Sequence, residues 1–261
     1  MGAAPPRPAS HPLAFTPLFG TLVPAKRFGR ISNRRDKGVI GTMDYIYLMA
    51  KIKNIDTLSV DSNVLCCNFV NTVSSWKVAG SHDYLDSYDS FLQWCQKLGV
   101  CPPDLLDGLR ASARGRDHET AKALEKIKEV RGRLQRLITS ISDGDTDQTA
   151  LLLPEMAPLL GEAASRERLE FWGGQFHLGL RGAPEDLLAP LWHVIHSLKG
   201  LLLGNDPRRI KECPKCGWVF LDQTKNGRRK WCNPQACGST DKMERYNRRK
   251  KEPKGQGLGK R

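Results

Sequence analysis

The chain has 261 residues, 39% of them hydrophobic and 26% charged, which is the composition of a globular protein with one or two domains. No apolar run approaches the roughly 20 residues that a membrane-spanning helix needs, so we expect a cytoplasmic protein without a membrane partner. The net charge of +13 is unevenly placed: residues 208–261 carry 17 Lys and Arg against 5 Asp and Glu, and residues 43–207 carry 17 against 22. A basic end on an acidic body is typical of proteins that bind a polyanion such as nucleic acid.

Residues 1–42 predict a disordered extension. Five prolines fall within the first 17 residues, and no hydrophobic periodicity continues through the segment. The segment is rich in Arg and nearly free of acid, as organellar transit peptides are, but its prolines interrupt the amphipathic helix that such a peptide needs. We expect folding not to depend on it. The basic tail at 252–261 is expected to be disordered as well.

Residues 58–206 predict a helical domain with one small β-hairpin. Between Leu169 and Leu180, apolar residues alternate on both sides of a Gly-Gly pair, which predicts the hairpin. One helical segment should be short and broken, because it holds Pro154 and Pro158. Hydrophobic spacing indicates helices within 82–100, 102–115, 118–142, 149–162 and 185–204. The long helix at 118–142 should bury one face, formed by Ala121, Leu124, Ile127, Val130, Leu134, Leu137 and Ile141.

The apolar run at 63–73 is either a buried helix or a strand, and it contains three polar residues, Asn68, Asn71 and Thr72. Two interpretations of these side chains are open. They line an effector pocket that senses a small ligand, or they form a polar staple that fixes the core through hydrogen bonds. The second interpretation is favoured, because polar groups inside an apolar run are normally hydrogen-bonded.

Half of the eight cysteines lie in one stretch, with the spacing Cys213-x2-Cys216 and Cys232-x4-Cys237. Two such pairs supply the four corners of a tetrahedron, which suits Zn²⁺. Four thiolates leave no open coordination position, so we predict one structural zinc ion and no catalytic role for it. The weaker alternatives are an iron–sulfur cluster or rubredoxin-type iron, two disulfides, and a redox dithiol in the first pair.

Residues 207–251 predict a four-cysteine finger of the zinc-ribbon or treble-clef kind that ends in a basic helix. A strand is expected at 218–221, and Asn226-Gly227 signals a hairpin turn from which 230–232 would return toward the metal. Capping residues begin the helix near Ser239. The cations of the turn and the helix have no packing reason to be so dense, so they are predicted to contact nucleic acid: Lys225, Arg228, Arg229, Lys230, Lys242, Arg245, Arg248 and Arg249.

Two motifs resemble those of the bacterial CGNR-type zinc-finger proteins, which carry an ABATE domain ahead of the finger. The family's "DFVNT"-like motif has its counterpart in "NFVNT" at 68–72, and its finger in "CPKCGWVFLDQTKNGRRKWCNPQACGST" at 213–240. The similarity covers about 60–251 and implies an ABATE-like domain at 58–206. Two departures stand out. Asn68 replaces the leading Asp of the first motif, and Ser239-Thr240 replace the Asn-Arg that follows the last Cys-Gly.

The resemblance implies a transcription regulator that binds DNA through the finger, with the helical body as a sensor or a dimerisation domain. Such a protein is not an enzyme, and its location would be cytoplasmic and nucleoid-associated. RNA or ribosome binding through the same basic finger is the first alternative. A small-molecule-handling enzyme with a structural finger is the second, and it is weaker because no nucleophile motif, carboxylate pair or phosphate loop is evident. A homodimer is compatible with the sequence, which does not identify an effector.

Overall fold

A computed structural model describes residues 53–251, so the predictions for 1–42 and 252–261 lie outside the described residues. The described part contains seven α-helices and two antiparallel two-stranded sheets, which confirms the mainly α prediction. The elements in chain order are α1 (Leu65–Val70), α2 (Tyr88–Leu98), α3 (Pro103–Ala113), α4 (Asp117–Asp143), α5 (Thr146–Ser165), β1 (Glu167–Trp172), β2 (Gln175–Leu180), α6 (Ala189–Gly204), β3 (Ile210–Glu212), β4 (Val219–Leu221) and α7 (Ser239–Lys251).

The apolar run at 63–73 forms a helix, α1, and this helix lies at the centre of the body. Phe69 of α1 is fully buried and packs against the ring of Trp94 on α2, with ring centroids 5.6 Å apart. Helix α2 begins with a capping box between Ser87 and Ser90 and ends at Gly99, whose φ of 59° is left-handed. The prediction of this helix and of its glycine cap is therefore confirmed.

The long helix α4 buries the centre of the predicted stripe, from Ile127 to Leu137, while Leu124 and Ile141 are partly buried. Ala123 is buried in place of Ala121, which is exposed, and Ile138 and Ser140 are buried in addition. The helix also buries a cation, Arg131, which the hydrophobic pattern did not mark. Its C-terminus is set by Gly144 in the left-handed region.

Helix α5 corrects the expectation of a short, broken segment at 149–162. It runs without interruption through Pro154 and Pro158. The two prolines are four residues apart, so they lie on one face of the helix, and both are exposed. The carbonyls that lose a hydrogen-bond donor are therefore on the solvent side, where water can replace it, while Leu152 and Met156 hold the other face in the core.

The hairpin of β1 and β2 forms around Gly173 and Gly174 as predicted, and both glycines have positive φ, as a type I′ turn requires. Strands β3 and β4 form a second, shorter sheet that carries the first cysteine pair. This sheet packs into the body, because Val219 and Phe220 belong to the same buried cluster as Phe69 and Leu137. Within residues 53–251, no helix is long and apolar enough to cross a membrane.

Candidate metal centre and basic surface

The four predicted cysteine ligands converge on one point. The Sγ atoms of Cys213, Cys216, Cys232 and Cys237 all lie within 4.8 Å of one another. The Cys216–Cys232 distance is 3.5 Å, and Cys237 lies 3.7 Å from each of these two. A tetrahedral ion with Zn–S bonds of about 2.3 Å separates its sulfurs by about 3.8 Å, whereas a disulfide needs about 2 Å. The cluster fits one structural zinc ion.

The hairpin of β3 and β4 positions the first cysteine pair. The amide of Cys213 donates to the carbonyl of Trp218 at 2.7 Å, and the amide of Gly217 donates to the carbonyl of Cys213 at 2.9 Å. Gly217 has a φ of +76°, and a Cβ at this position would lie 2.8 Å from the Cβ of Trp76. Only glycine fits both the turn and the close approach of the body. The body therefore packs directly against the turn at 213–217, which we call the metal loop.

The chain turns at Asn226-Gly227 and returns to the metal site at Cys232 as predicted, but the predicted hairpin pairing is absent there. Strand β4 does not pair with residues 230–232; it pairs with β3, which precedes the cysteines, in the register Ile210 with Leu221. The reason lies in the side chain of Asp222, since its carboxylate accepts the amide hydrogen of Arg229 at 2.8 Å. That amide is no longer available to a strand partner, and the segment becomes a loop.

Asp222 organises this loop from a fully buried position. Its carboxylate also accepts from Lys211 Nζ at 2.6 Å and from the hydroxyl of Thr224 at 2.6 Å. Burial alone would raise the pKa of Asp222, but these hydrogen bonds outweigh it and hold the pKa below its ordinary value. Sequence reasoning missed this residue, although a signal existed: Asp222 is the single acidic residue between Cys213 and Thr240.

Lys225, Arg228 and Lys230 project from the loop and are exposed, as a nucleic-acid contact requires. Lys230 lies over the ring of Trp231, 5.0 Å from its centroid. Arg229 differs from its neighbours, because its guanidinium donates to the carbonyls of Asp61 and Trp231 at 3.1 and 3.0 Å. Arg229 thus joins the loop to the body and has few donors left for a phosphate.

Helix α7 presents its cations on two sides. Glu244 accepts from Lys215 at 2.5 Å, which turns that side toward the metal loop. Arg245 is paired with Asp241 at 2.8 Å. Since successive residues of an α-helix are 100° apart, the side away from Glu244 carries the predicted cations Lys242 and Arg249. The same side carries three residues that were not predicted to bind: Met243, Tyr246 and Lys250. Met243 and Tyr246 are large side chains left exposed among these cations.

The remaining predicted contact, Arg248, lies on the Glu244 side of α7 and is exposed. Among residues 53–251, Lys225, Arg228, Lys242, Arg248 and Arg249 have no ion-pair partner. Their positive charge therefore faces solvent without compensation.

Asn68, Asn71 and Thr72 are buried and hydrogen-bonded. The amide of Asn71 donates to the carbonyl of Val219 and accepts its amide hydrogen, both at 2.9 Å, so the side chain pairs with β4 as another strand would. The side chain of Asn68 makes a similar pair of hydrogen bonds with the backbone of Ser62. These contacts match the polar staple. An apolar cavity of about 430 Å³ lies elsewhere, between α4, α5, α6 and β3, and none of the three residues lines it.

Arg131 extends this polar group toward α4 and was not predicted. Its guanidinium binds both carboxylate oxygens of Asp83, at 2.8 and 2.7 Å, and donates to the hydroxyl of Thr72 at 2.8 Å. Burial alone would raise the pKa of Asp83, but the Arg131 contact lowers it below the ordinary value. The guanidinium also lies 5.9 Å from the ring centroid of Trp76, whose amide donates to the carbonyl of Cys216. A continuous set of contacts thus connects α4 with the metal loop.

A helical domain that holds a four-cysteine zinc finger with an exposed basic helix defines a two-part zinc-finger protein. Comparison with protein families gives both parts a name: the ABATE family, described as "Putative stress-induced transcription regulator", matches residues 63–205. The CGNR zinc finger matches residues 209–250. The chain belongs to the ABATE family and ends in a CGNR zinc finger, as the two motifs predicted. Neither description names an enzymatic activity, and no curated protein matches the chain.

Proposed function

We propose that this protein regulates transcription by binding DNA through a basic surface on its finger. We define the basic surface as the predicted cations that project to solvent, namely Lys225, Arg228, Lys230, Lys242, Arg245, Arg248 and Arg249. The observation that carries the proposal is that the cysteine cluster and Asp222 fold a finger on which, among the described residues, only Arg245 of these seven cations has an ion-pair partner. Arg229, which the sequence analysis included, is left out because it binds backbone carbonyls.

The charge distribution favours the finger end as the binding end. The body carries more acid than base, so it repels a polyanion, while the finger attracts one. Each phosphate neutralised by a cation releases counterions from DNA, which gives a slope of log K against log salt of about −0.9 per phosphate. The role of the zinc in this proposal is to fix the loop and the start of α7, not to contact DNA.

Helix α7 is the element suited to a groove. Its 13 residues span about 20 Å, and an α-helix fits the major groove of B-DNA. Arg245 was among the predicted nucleic-acid contacts, but its ion pair with Asp241 holds it back. The side with Lys242, Tyr246 and Arg249 is free to enter the groove. We therefore assign the reading of bases to this side and phosphate contacts to the loop.

The helical body completes the proposal as a sensor or dimerisation domain, and the expected location of the protein is the nucleoid. The replacement of the family's Asn-Arg pair removes one cation at the start of α7, where Ser239 and Thr240 are exposed. We expect this protein to read DNA with residues farther along the helix than relatives that keep the pair.

The test is salt-titrated binding of labelled duplex DNA, measured by fluorescence anisotropy with the full chain. The double variant Lys225→Ala/Arg228→Ala should bind all duplexes more weakly and reduce the salt slope by about one to two units. The matched control is Arg114→Ala/Lys122→Ala, which removes two exposed cations from the body. The finger contacts α4 at Thr139, which donates to Glu212, and Lys122 lies about 25 Å from Thr139 along the helix. Because Lys122 is far from the finger, we expect this control to bind DNA normally.

A third variant, Tyr246→Ala, separates base reading from charge, because it changes no charge. It should reduce the preference for a selected sequence over a scrambled one and leave the salt slope unchanged. Equal binding of all variants would refute the proposal. Stronger binding to duplex RNA than to duplex DNA would assign the basic surface to the RNA-binding alternative.

A further inference from the structure

The hairpin of β1 and β2 exposes four large apolar side chains on one face. Leu169 pairs with Leu178 across the strands and Phe171 pairs with Phe176, so all four share that face, which we call the apolar face. They are 76%, 50%, 64% and 76% exposed in the same order. The two phenylalanine rings contact each other, with centroids 4.9 Å apart. Alternation along a strand normally buries such residues, so this face lacks its cover within the described chain.

Contacts near the base of the hairpin attach it to the body. Glu167 of β1 contacts His196 and Lys199 of α6, and the amide of Arg181 donates to the carbonyl of Arg166. The opposite face of the hairpin carries the ion pair between Arg168 and Glu170. A two-stranded sheet is marginally stable in water by itself. Its apolar face therefore needs a partner to be stable as an ordered surface.

The area of the apolar face suits a protein interface. Its four side chains expose on the order of 500 Å² in total, given that a large apolar side chain buries about 150–250 Å². Exposed patches of that size on a monomer are often functional. Two such faces in contact remove about 1,000 Å² from water, which is the lower limit for a specific interface.

We propose that the cover is the apolar face of a second copy of this chain, in a two-fold symmetric dimer. The face carries no charge, so its partner must be uncharged as well, and an identical face meets that condition. Face-to-face packing of two hairpins is isologous, so it closes at two chains. The proposal does not depend on DNA binding, but it places two fingers in one particle and thus predicts a DNA site with two halves.

The experiment is sedimentation equilibrium of the full zinc-loaded chain without nucleic acid. The wild-type protein should have a mass of about twice the 29.2 kDa of one chain. Phe176→Asp places a charge on the apolar face and should raise the dimer dissociation constant at least about tenfold. Leu169→Lys is a second variant that keeps the Phe pair. Leu151→Asp, on an exposed apolar residue of α5, is the matched control and should remain dimeric.

Circular dichroism and zinc content identify a variant that fails to fold. A monomeric wild-type protein at about 100 μM would overturn the proposal, as would a dimer that neither variant weakens. Growth beyond two chains would show a head-to-tail contact in place of the two-fold one. Binding of a monomeric protein to neutral phosphatidylcholine vesicles would assign the apolar face to a lipid surface and overturn the dimer. Since no DNA is present, failure of the DNA proposal would leave this result unaffected.

Discussion

Replacement of Asn71 by alanine tests whether the body and the finger are one cooperative unit. Asn71 is the C-cap residue that follows α1, and its side-chain amide makes two hydrogen bonds with the backbone of Val219 on β4. Asn71 and Val219 are both buried, so these hydrogen bonds are shielded from solvent. Alanine at this position therefore leaves one buried donor and one buried acceptor without a partner.

The expected loss follows from those two groups. An unpaired buried polar group costs about 1–3 kcal/mol, so Asn71→Ala should lower the free energy of unfolding by about 3 kcal/mol. For a folded part of roughly 200 residues, each kcal/mol lowers the melting temperature by about 2–4 °C. We expect a melting temperature about 6–12 °C below that of the wild-type protein, in a single transition.

The measurement is guanidinium and thermal unfolding of the zinc-loaded protein, followed by circular dichroism. Asn63→Ala is the matched control, because the amide of Asn63 also crosses from the body to the finger, donating to Gln223 at 2.7 Å, but both residues are exposed. Asn63→Ala should lower the free energy of unfolding by no more than about 0.5 kcal/mol. If the two variants lose the same small amount, or if finger and body unfold in separate transitions, the shared core is not cooperative and the reasoning fails.

Three further predictions concern the metal centre and its loop. Cys216→Ser should lose the zinc, measured as metal content, and should lower the melting temperature of the whole chain, because the finger packs into the body core. Asp222→Asn should cost about 3 kcal/mol at pH 7. The pKa of Asp222 is lowered by folding, so its contribution is present above pH about 4 and is lost as the pH falls further, and the difference between wild type and variant should shrink there. Gly217→Ala should destabilise more than Gly144→Ala, since both have positive φ but only Gly217 meets Trp76.

Features that depend on neighbours in sequence were predictable. The periodicity of α4, the glycine that ends α2 and the Gly-Gly turn between β1 and β2 are set within a few residues of the chain. The zinc site was predictable for the same reason, because cysteine spacing alone limits the ligands that can meet. Helix α5 shows where local rules fail. A proline rule predicts a break, but burial of one face outweighs two lost hydrogen bonds on the other.

Features that depend on distant partners were not predictable. The loop at 224–230 carries a good hairpin signal, yet the carboxylate of Asp222 takes the amide that a second strand would use. The alternation in β1 and β2 predicted the hairpin, but not that its apolar residues would be exposed. In both cases the local sequence pattern is present, but it does not show which part of the protein the segment contacts.

The two motifs that identify the family contact each other where the body meets the finger. "NFVNT" supplies Asn71, and the finger motif supplies Val219, 148 residues later, as its hydrogen-bond partner. The indole of Trp218 donates to the carbonyl of Val73 at 2.7 Å, next to the same motif. A polar residue buried at this place is stable only if the finger strand is present, and the finger strand has no outer partner without it. The physical need for both members explains why a helical domain and a zinc finger with these motifs belong to one folded unit.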